Sequence, residues 1–346
     1  MAEVKARRAR LVIVYENRDI SQDIAPYVVG FSFTDNAHGK SDEIALTLED
    51  REHLWKGGWY PEKGARITAR LECEHWAGDA AAPMVLECGT FTLDEIDLDG
   101  PPDVVKLKAV SASVTRSLRQ EDKSRAWENA SLETVAGDIA KKHGLELYYD
   151  GPAHRFQRMD QRQISDLGFL REQAEARGMR LKVTGDKLVL VSGDTLDAQA
   201  PSGTLTRGSS DIKTFSLKQK TQGTFGGGGE VSFHDAVSKQ TRTYVAAGKG
   251  KGEKLQVNRR VDPLENGQDR AETAVRDRDR AEFEGRFTLV GDPGLRAGLT
   301  ISVGGFKRFD RTYLIDTARH SLDSGGGYTV EITLKTALGG GDASAG

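Results

Sequence analysis

The sequence predicts a mainly β protein with a small α/β insert, an α+β fold in which two β domains flank the insert. Residues of alternating polarity recur from position 10 to about position 119, helix-type spacing appears between 131 and 178, and alternation returns after Pro201. Strict alternation is typical of half-buried strands, whereas apolar residues three and four apart are typical of amphipathic helices. We therefore predict domains at residues 1–120, 121–200 and 201–338, followed by a disordered tail at 339–346.

Short strands separated by turn residues make up the first predicted domain. The alternating segments are Leu11–Tyr15, Ile44–Leu48, Ile67–Cys73, Phe91–Leu93 and Val105–Ala109. Pro61 and Gly64 mark one of the turns, and this region contains no strong helix pattern. Such spacing favours a sandwich or a barrel.

Two capped helices define the insert. Ser131 precedes Leu132, Val135 and Ile139 on one face, and Gly144 follows as the stop. A strand is predicted at Leu145–Tyr149.

The second helix of the insert begins after Ser165, and Gly178 lies past its end. Strands at Arg180–Val183 and Lys187–Val191 flank Gly185-Asp186, a pair that predicts a tight II′ hairpin with positive φ at the glycine.

The third domain repeats the alternating pattern. Strands are predicted at Ile212–Leu217, Glu230–Asp235, Thr241–Val245, Phe287–Leu289, Leu299–Val303, Tyr313–Ile315 and Tyr328–Leu334. Asp269–Glu284 predicts a charged helix that is either solvated or lies on a partner. Two similar β domains around an insert suggest a duplication of the fold, although no clean sequence repeat is visible.

Composition excludes several classes of protein. The chain has 346 residues, a net charge of −3 and 29% charged residues of both signs, so no global basic field suits nucleic acid. Its longest apolar runs are too short to cross a bilayer, and the N-terminus lacks the apolar core of a signal peptide. We expect a protein made in a cytoplasm, in which Cys73 and Cys88 are buried small hydrophobes.

The segment Gly39-Lys40-Ser41 resembles the end of a phosphate-binding P-loop, but that interpretation fails. A P-loop needs a glycine at position 34, which is Thr34, and a helix afterwards, where this chain has the alternating strand Ile44–Leu48. The glycine-rich stretch 225–229 also precedes no helix pattern, and a loop or a close crossing of backbones is favoured there.

No motif predicts a catalytic residue, a cofactor or a metal. The seven histidines form no HExxH pattern, no cysteine pair has metal-ligand spacing, and GxSxG is absent. The carboxylates Asp94, Glu95 and Asp97 alternate with apolar residues, which favours a solvated strand edge over a glycosidase pair. Basic residues at 5–10 and 246–260 lack interleaved aromatics, so contact with a partner is favoured over contact with phosphate.

The order of several phrases resembles a family, the late control gene D proteins that form the baseplate hub of phage tails. The phrases are Asp35 with His38-Gly39-Lys40-Ser41-Asp42, Pro61 with Gly64, Gly89–Glu95 with Phe91 and Asp94, Leu118-Arg119 with Lys123-Ser124 and Trp127, Gln163–Leu170 with Asp166 and Phe169, Gly291-Asp292-Pro293, His320, and Gly327-Tyr328-Thr329. Their shared order extends over about 300 residues, so the resemblance covers nearly the whole chain.

The resemblance implies a structural role in a virion or tail-like particle that is assembled in the bacterial cytoplasm. Hub proteins of this kind form a homotrimer in which each chain supplies two barrels similar to tail-tube subunits, matching a six-fold tube to a three-fold spike. The insert is expected to be LysM-like, and the expected partners are the tail tube protein, a separate spike protein, other baseplate proteins and the tape measure protein. Asp35, Gly39, Lys40 and Asp42 would form the turn before a strand, with an ion pair to a neighbour.

The fused hub–spike proteins of type VI secretion continue beyond the hub, whereas this chain stops near Leu338. We therefore expect the spike on another polypeptide and no lysozyme domain here. A peptidoglycan-binding or wall-hydrolysing tail protein is the alternative, which the insert and the carboxylates support. A nucleic-acid-binding β protein, suggested by the two basic segments, is a third hypothesis. Membrane insertion is not expected.

Overall fold

The computed structural model describes residues 6–76, 82–112, 115–209, 211–220, 229–235, 240–246, 255–258 and 267–338. Strands dominate it, as the sequence predicts. The predicted tail lies outside these residues, as do most of the glycine-rich stretch 225–229 and of the basic segment 246–260.

The first β region extends from β1 to β7. Its elements are β1 (Arg8–Tyr15), β2 (Arg18–Asp19), α1 (Ser21–Ile24), a 3₁₀ helix (Ala25–Tyr27), β3 (Val28–Asn36), β4 (Glu43–Glu49), β5 (Arg66–Glu74), β6 (Met84–Asp99) and β7 (Val104–Ser111). Alternate residues of β3, β4, β5 and β7 are buried, which is the pattern expected of strands that cover a core.

The insert follows. Its elements are α2 (Arg116–Arg119), β8 (Asp122–Ser131), α3 (Leu132–Lys142), β9 (Glu146–Asp150), β10 (Arg155–Ser165), α4 (Asp166–Glu175), β11 (Met179–Thr184), β12 (Lys187–Ser192) and α5 (Gly193–Asp197). Both predicted helix caps are confirmed, since Ser131 Oγ accepts from the backbone N–H of Thr134 at 3.1 Å and Ser165 Oγ accepts from Gly168 at 3.2 Å. Gly185 has a φ of +57° in the predicted turn between β11 and β12.

The sequence pattern missed the antiparallel pair of β8 and β10. Strand β8 alternates half-buried and exposed residues and buries none of them completely. Without an apolar face, its sequence carries no strand signal of the kind that alternation provides.

The second β region completes the chain. Its elements are β13 (Thr204–Thr206), β14 (Ile212–Gln219), β15 (Gly229–Asp235), β16 (Gln240–Ala246), β17 (Leu255–Asn258), α6 (Gly267–Arg280), β18 (Phe283–Val290), β19 (Thr300–Gly304), a 3₁₀ helix (Lys307–Phe309), β20 (Arg311–Asp323) and β21 (Gly327–Thr336). Strands β15, β16 and β17 form a separate small sheet.

The predicted bounds of the charged helix were wrong at its end. Helix α6 ends at Arg280, and the last two residues of the prediction, Phe283 and Glu284, belong to β18. Phe283 is buried and begins a strand in which alternate residues face the core, so burial of that strand outweighs the helical charge pattern. The helix is also only partly solvated, because Ala271 and Val275 are buried beside Ala246.

The two β regions share one continuous sheet. Its strand order is β14-β18-β21-β20-β3-β4-β7-β6-β5-β1-β2, with β13 and β19 attached beside β20. The connection is β20, a 13-residue strand whose residues 311–314 pair with β19 and whose residues 317–323 pair with β3. A bulge at Asp316 separates these two halves.

Within this sheet, five strands of each β region repeat the same arrangement. The order β3-β4-β7-β6-β5 corresponds to β14-β18-β21-β20-β19, and every neighbouring pair in both series is antiparallel. Two of the irregularities also correspond: β6 is bulged at Asp94 where β20 is bulged at Asp316, and β3 is bulged at Val29 where β14 is bulged at Lys213. The suspected duplication is therefore visible in the strand registers.

Candidate functional site: the Lys182 junction and its supports

The loop between β3 and β4 closes on a side-chain cap. Asp42 Oδ1 accepts from the backbone N–H of Asn36 at 2.8 Å, and Asn36 Nδ2 donates to the carbonyl of Ser41 at 3.0 Å. Gly39 has a φ of +74°, a conformation that glycine adopts without strain. The phrase that resembles a P-loop is thus a tight strand connection.

Lys182 of β11 reaches from the insert into this connection. Its ammonium pairs with Asp35 Oδ1 and lies 3.2 Å from Asp42 Oδ2. The adjacent backbone also joins the two parts, since the Gly39 N–H donates to the carbonyl of Leu181 at 3.0 Å.

Asp35 connects the same point to the second β region. Its Oδ2 accepts from the backbone N–H of Ala297 at 3.0 Å, and the nearby Ala37 N–H donates to the carbonyl of Asp316 at 2.9 Å. We call the group formed by Asp35, Asp42, Lys182 and the Ala297 backbone the Lys182 junction. It joins both β regions and the insert.

The Lys182 junction is buried and charged. Burial alone would lower the pKa of Lys182, but the carboxylates of Asp42 and Asp35 outweigh burial and raise this pKa above its usual value. Burial raises the pKa of Asp42 to about 6, because it outweighs the stabilising charge of Lys182 and adds to repulsion from Asp35. The lysine therefore stays charged and holds together two carboxylates that would otherwise repel each other.

A second cluster lies beside the junction and contains His320, Tyr328 and Gly291. The carbonyl of Leu295 can only accept, so His320 Nε2 carries the proton and donates to it at 3.0 Å. His320 Nδ1 then accepts from the Tyr328 hydroxyl at 2.7 Å. A Cβ on Gly291 would collide with the Tyr328 ring, so only glycine fits there.

Aromatic contacts extend this cluster into the first β region. Phe33 stacks on His320 with ring centroids 6.1 Å apart, and Phe91 meets Phe33 edge-on at the same distance. The Trp76 indole N–H donates to the carbonyl of Gly291. Of the motif residues, Phe91, Gly291, His320 and Tyr328 thus belong to one packed set between the two β regions.

The third cluster lies within the insert and is centred on Asp166, in the first turn of α4. Its carboxylate is fully buried and accepts from Lys123 Nζ at 2.7 Å, Arg125 Nη2 at 2.7 Å, His143 Nε2 at 2.8 Å and Gln161 Nε2 at 3.0 Å. Burial alone would raise the pKa of Asp166, but these four donors lower it far below its usual range. Trp127 and Phe169 stack beside it with ring centroids 5.5 Å apart.

Two motif residues belong to none of these clusters. Lys40 is exposed on the loop, and Asp94 is an exposed residue at the β6 bulge, where Arg119 donates to it at 3.3 Å. The junction contains Asp35 and Asp42, and Gly39 lies beside it through its bond to Leu181.

Sequence reasoning missed the cationic partners. Lys182 was not singled out, because its carboxylates are distant in sequence and β11 shows only ordinary alternation. It also missed Arg280, a buried residue at the end of α6 that donates to Asp197 Oδ2 at 2.7 and 2.9 Å. Nothing in the nearby sequence distinguishes this buried arginine from the exposed charged residues of the same helix.

Among the ranges described, no three His, Cys, Asp or Glu side chains are grouped to share a metal ion. None of the helices in those ranges is long and apolar enough to span a membrane. Cys73 and Cys88 are buried free thiols, and burial raises the pKa of Cys73 to about 11.

No protein-family model matches the chain. Two curated relatives are each named "Probable baseplate hub protein". The relative from Escherichia phage P2 is 28% identical over 216 residues, which are 60% of this chain and 53% of the relative. The relative from Escherichia phage 186 is 26% identical over 215 residues, 60% of this chain and 52% of its own length. The chain therefore spans about half the length of the curated relatives it matches.

Solved structures share the fold. The 43 kDa tail protein of prophage MuSo2 from Shewanella oneidensis matches with a TM-score of 0.68 at 13% identity, over 95% of this chain and 97% of that protein. The E. coli c3393 protein, described as a type VI secretion component similar to T4 tail proteins, matches with a TM-score of 0.52 at 11% identity, over 96% of this chain and 75% of that protein. With the curated relatives, these matches confirm the predicted resemblance to baseplate hub proteins.

Replacing Lys182 with Met should destabilise the fold strongly. The substitution leaves Asp35 and Asp42 buried together without a counter-ion, a loss of about 3–5 kcal/mol. Urea unfolding should show a much lower midpoint than the parent. Lys187→Met provides the matched control, because its ion pair with Glu146 is exposed and should contribute less than about 1 kcal/mol. Equal midpoints for the two variants would contradict the structural role of the junction.

Acid should weaken the fold through His320. Burial lowers the pKa of His320 to about 4 from 6.5, so its stabilising contribution is complete above pH 6.5 and is lost as the pH falls toward 4. The contribution of His320 that is lost by pH 4 amounts to about 3 kcal/mol of unfolding free energy.

In His320→Gln, unfolding free energy should therefore fall less between pH 7 and pH 4 than in the parent. Burial also lowers the pKa of His38 to about 4, so some acid sensitivity should remain. Asp42, with its pKa raised to about 6, acts in the opposite direction as it protonates. The exposed His53 provides the control, and His53→Asn should leave the slope unchanged. An unchanged slope in His320→Gln would exclude this origin.

The Asp166 cluster should decide the stability of the insert. Asp166→Asn removes the charge that compensates Lys123 and Arg125, and we expect a loss of about 3–5 kcal/mol. Hydrogen exchange of α4 amides would report the loss locally. Asp186→Asn, at the exposed turn between β11 and β12, should leave exchange unchanged. Similar protection in both variants would contradict the prediction.

Proposed function

We propose that the chain is the structural hub of the baseplate in a contractile tail or injection particle. In this proposal three copies form a ring that adapts a six-fold tail tube to a three-fold central spike. The curated relatives named as baseplate hub proteins support the baseplate role. Catalysis is no part of the proposal.

The observation that carries the ring is the repeat of five strands within one sheet. Because each chain contains two units of the same strand order and bulge positions, three chains supply six similar units. A closed ring of three chains can thereby match six positions on one side and three on the other. The repeat units are proposed to be tube-like barrels.

The insert, proposed to be LysM-like, serves as a packing element in this scheme. Its charged contacts bind it to both β regions: Lys182 to Asp35 in the first, and Arg180 to Asp277 in the second at 2.6 Å. Removing Lys182 from beside the buried Asp35 should cost several kcal/mol, which suits a particle that must hold its shape under load.

The proposed partners are a tail tube protein, a spike protein, other baseplate proteins and a tape measure protein. Assembly is proposed to take place in the bacterial cytoplasm before incorporation into the particle. Interfaces in such a permanent assembly should be large and apolar.

Native mass spectrometry tests the proposal directly. The chain, alone or mixed with candidate tube and spike proteins, should appear as a trimer of about 113 kDa, three times the chain mass of 37.7 kDa. A matched mixture with an unrelated β protein of similar size provides the control. A chain that remains a monomer with both partners present would contradict the hub proposal.

A further inference from the structure

Two of the open strand edges of the shared sheet lie at β6 and β14, where no further strand pairs among the described residues. Strand β6 pairs with β5 through its first half, but residues 95–99 pair only with β7 on their other side. Strand β14 pairs only with β18. Exposed apolar side chains mark both edges: Leu98 and Phe215 are each 48% exposed.

Comparison of the two repeat units predicts which strand should pair with each open edge. Strand β6 corresponds to β20, and β14 corresponds to β3. In the chain, the half of β20 that follows its bulge pairs antiparallel with β3. The half of β6 that follows its own bulge is therefore equivalent to the half of β20 that pairs with β3.

The registers align the two units residue by residue. Leu93 and Ile315 precede the bulges and face Ala109 and Leu334 respectively. On the next strands of the first unit, Ala109 pairs with Ile44, and Ile44 pairs with Phe33. In the second unit, Leu334 pairs with Gly285, and Gly285 pairs with Leu217.

Phe33 and Leu217 therefore hold equivalent positions, and the same counting makes Leu98 the equivalent of His320. Within the chain, His320 is paired with Phe33.

We infer that residues 95–99 of one copy pair with residues 216–220 of a second copy in the register that β20 and β3 already use. The partner is a second copy of this chain, and the inference rests on the proposed trimer. Transferring Thr317–Asn36, Arg319–Thr34 and His320–Phe33 to the open edges gives three cross-copy pairs. They are Glu95 with Lys220, Asp97 with Lys218, and Leu98 with Leu217.

The chemistry of the transferred pairs is complementary. Each acidic residue meets a lysine on one face of the new ladder, and the two leucines meet on the other face, beside the partly buried Ile96. The run Asp94–Asp99 carries four carboxylates, and Ile212–Gln219 carries two lysines and no carboxylate. Nothing in the register transfer selects for charge, so the match is independent support.

Strand direction also allows the ring to close. From β14 to β6 the shared sheet has eight strands, each antiparallel to the next, so β14 and β6 run in opposite directions. Rotation about a ring axis lying along the strands preserves each direction. The next copy's β14 therefore arrives antiparallel to β6, and the contact is heterologous, as a cyclic ring requires.

Disulfide cross-linking tests the register. The variant that combines Leu98→Cys with Leu217→Cys places the new thiols directly opposite each other, within the distance that a disulfide spans. Oxidation should yield covalent dimers and trimers that reducing agent returns to single chains. Ile96→Cys with Leu217→Cys, displaced by two residues, should link far less. The native Cys73 and Cys88 are buried, and the oxidised parent sets the background.

Charge exchange tests the same pairing without new thiols. Asp97→Lys places two lysines opposite each other and should weaken trimer formation about tenfold, whereas adding Lys218→Asp should restore it. Asp186→Lys, in the insert turn, should have no effect.

A trimer that forms normally, shows no Leu98–Leu217 cross-link and ignores Asp97→Lys would overturn this interface and leave the hub proposal standing. A chain that forms no trimer with tube and spike proteins would overturn both.

Discussion

One edge of β20 pairs with two neighbouring strands, β19 and β3, and the arrangement of the rest of the molecule depends on that pairing. The bulge at Asp316 lets β20 pair with β19 before it and with β3 after it. The loop after β3 is held at that point by the bond from Ala37 to the Asp316 carbonyl. The two β regions are thereby one hydrogen-bonded body, and the insert attaches where they meet.

Buried charge fixes how the insert attaches. Lys182 pairs with a buried carboxylate of the first β region, and the buried Arg280 of α6 pairs with Asp197 of the insert. The fully buried Asp166 holds its cationic partners together within the insert itself. Such groups add little net stability compared with apolar residues of the same shape, but removing one partner is costly. A different placement of the insert against the β regions would separate Lys182 from Asp35 and Arg280 from Asp197, so these pairs disfavour it.

Sequence patterns within a few residues predicted most helices and strands, whereas contacts between residues far apart in the chain were not predicted. Ser131 and Ser165 predict the starts of their helices because a capping side chain bonds to a backbone N–H only three residues away. Strands with an apolar face were predicted from alternation, whereas β8 lacks such a face and was missed. The role of Lys182 depends on carboxylates about 140 residues away, and no pattern within β11 records them. The duplication was suspected, but no sequence repeat is visible because equivalent positions, such as Phe33 and Leu217, hold the same place in the strand order and differ in residue type.

The duplication inside one polypeptide has an evolutionary consequence. In a ring of six identical subunits, every substitution appears at all six positions, so no position can specialise. Here the two units are encoded separately, and each can accumulate changes that the other does not share. His320 and Leu98 already show such divergence at one equivalent place. Carrying both units on one chain would permit alternating chemistry around the proposed ring while keeping the spacing of the repeat.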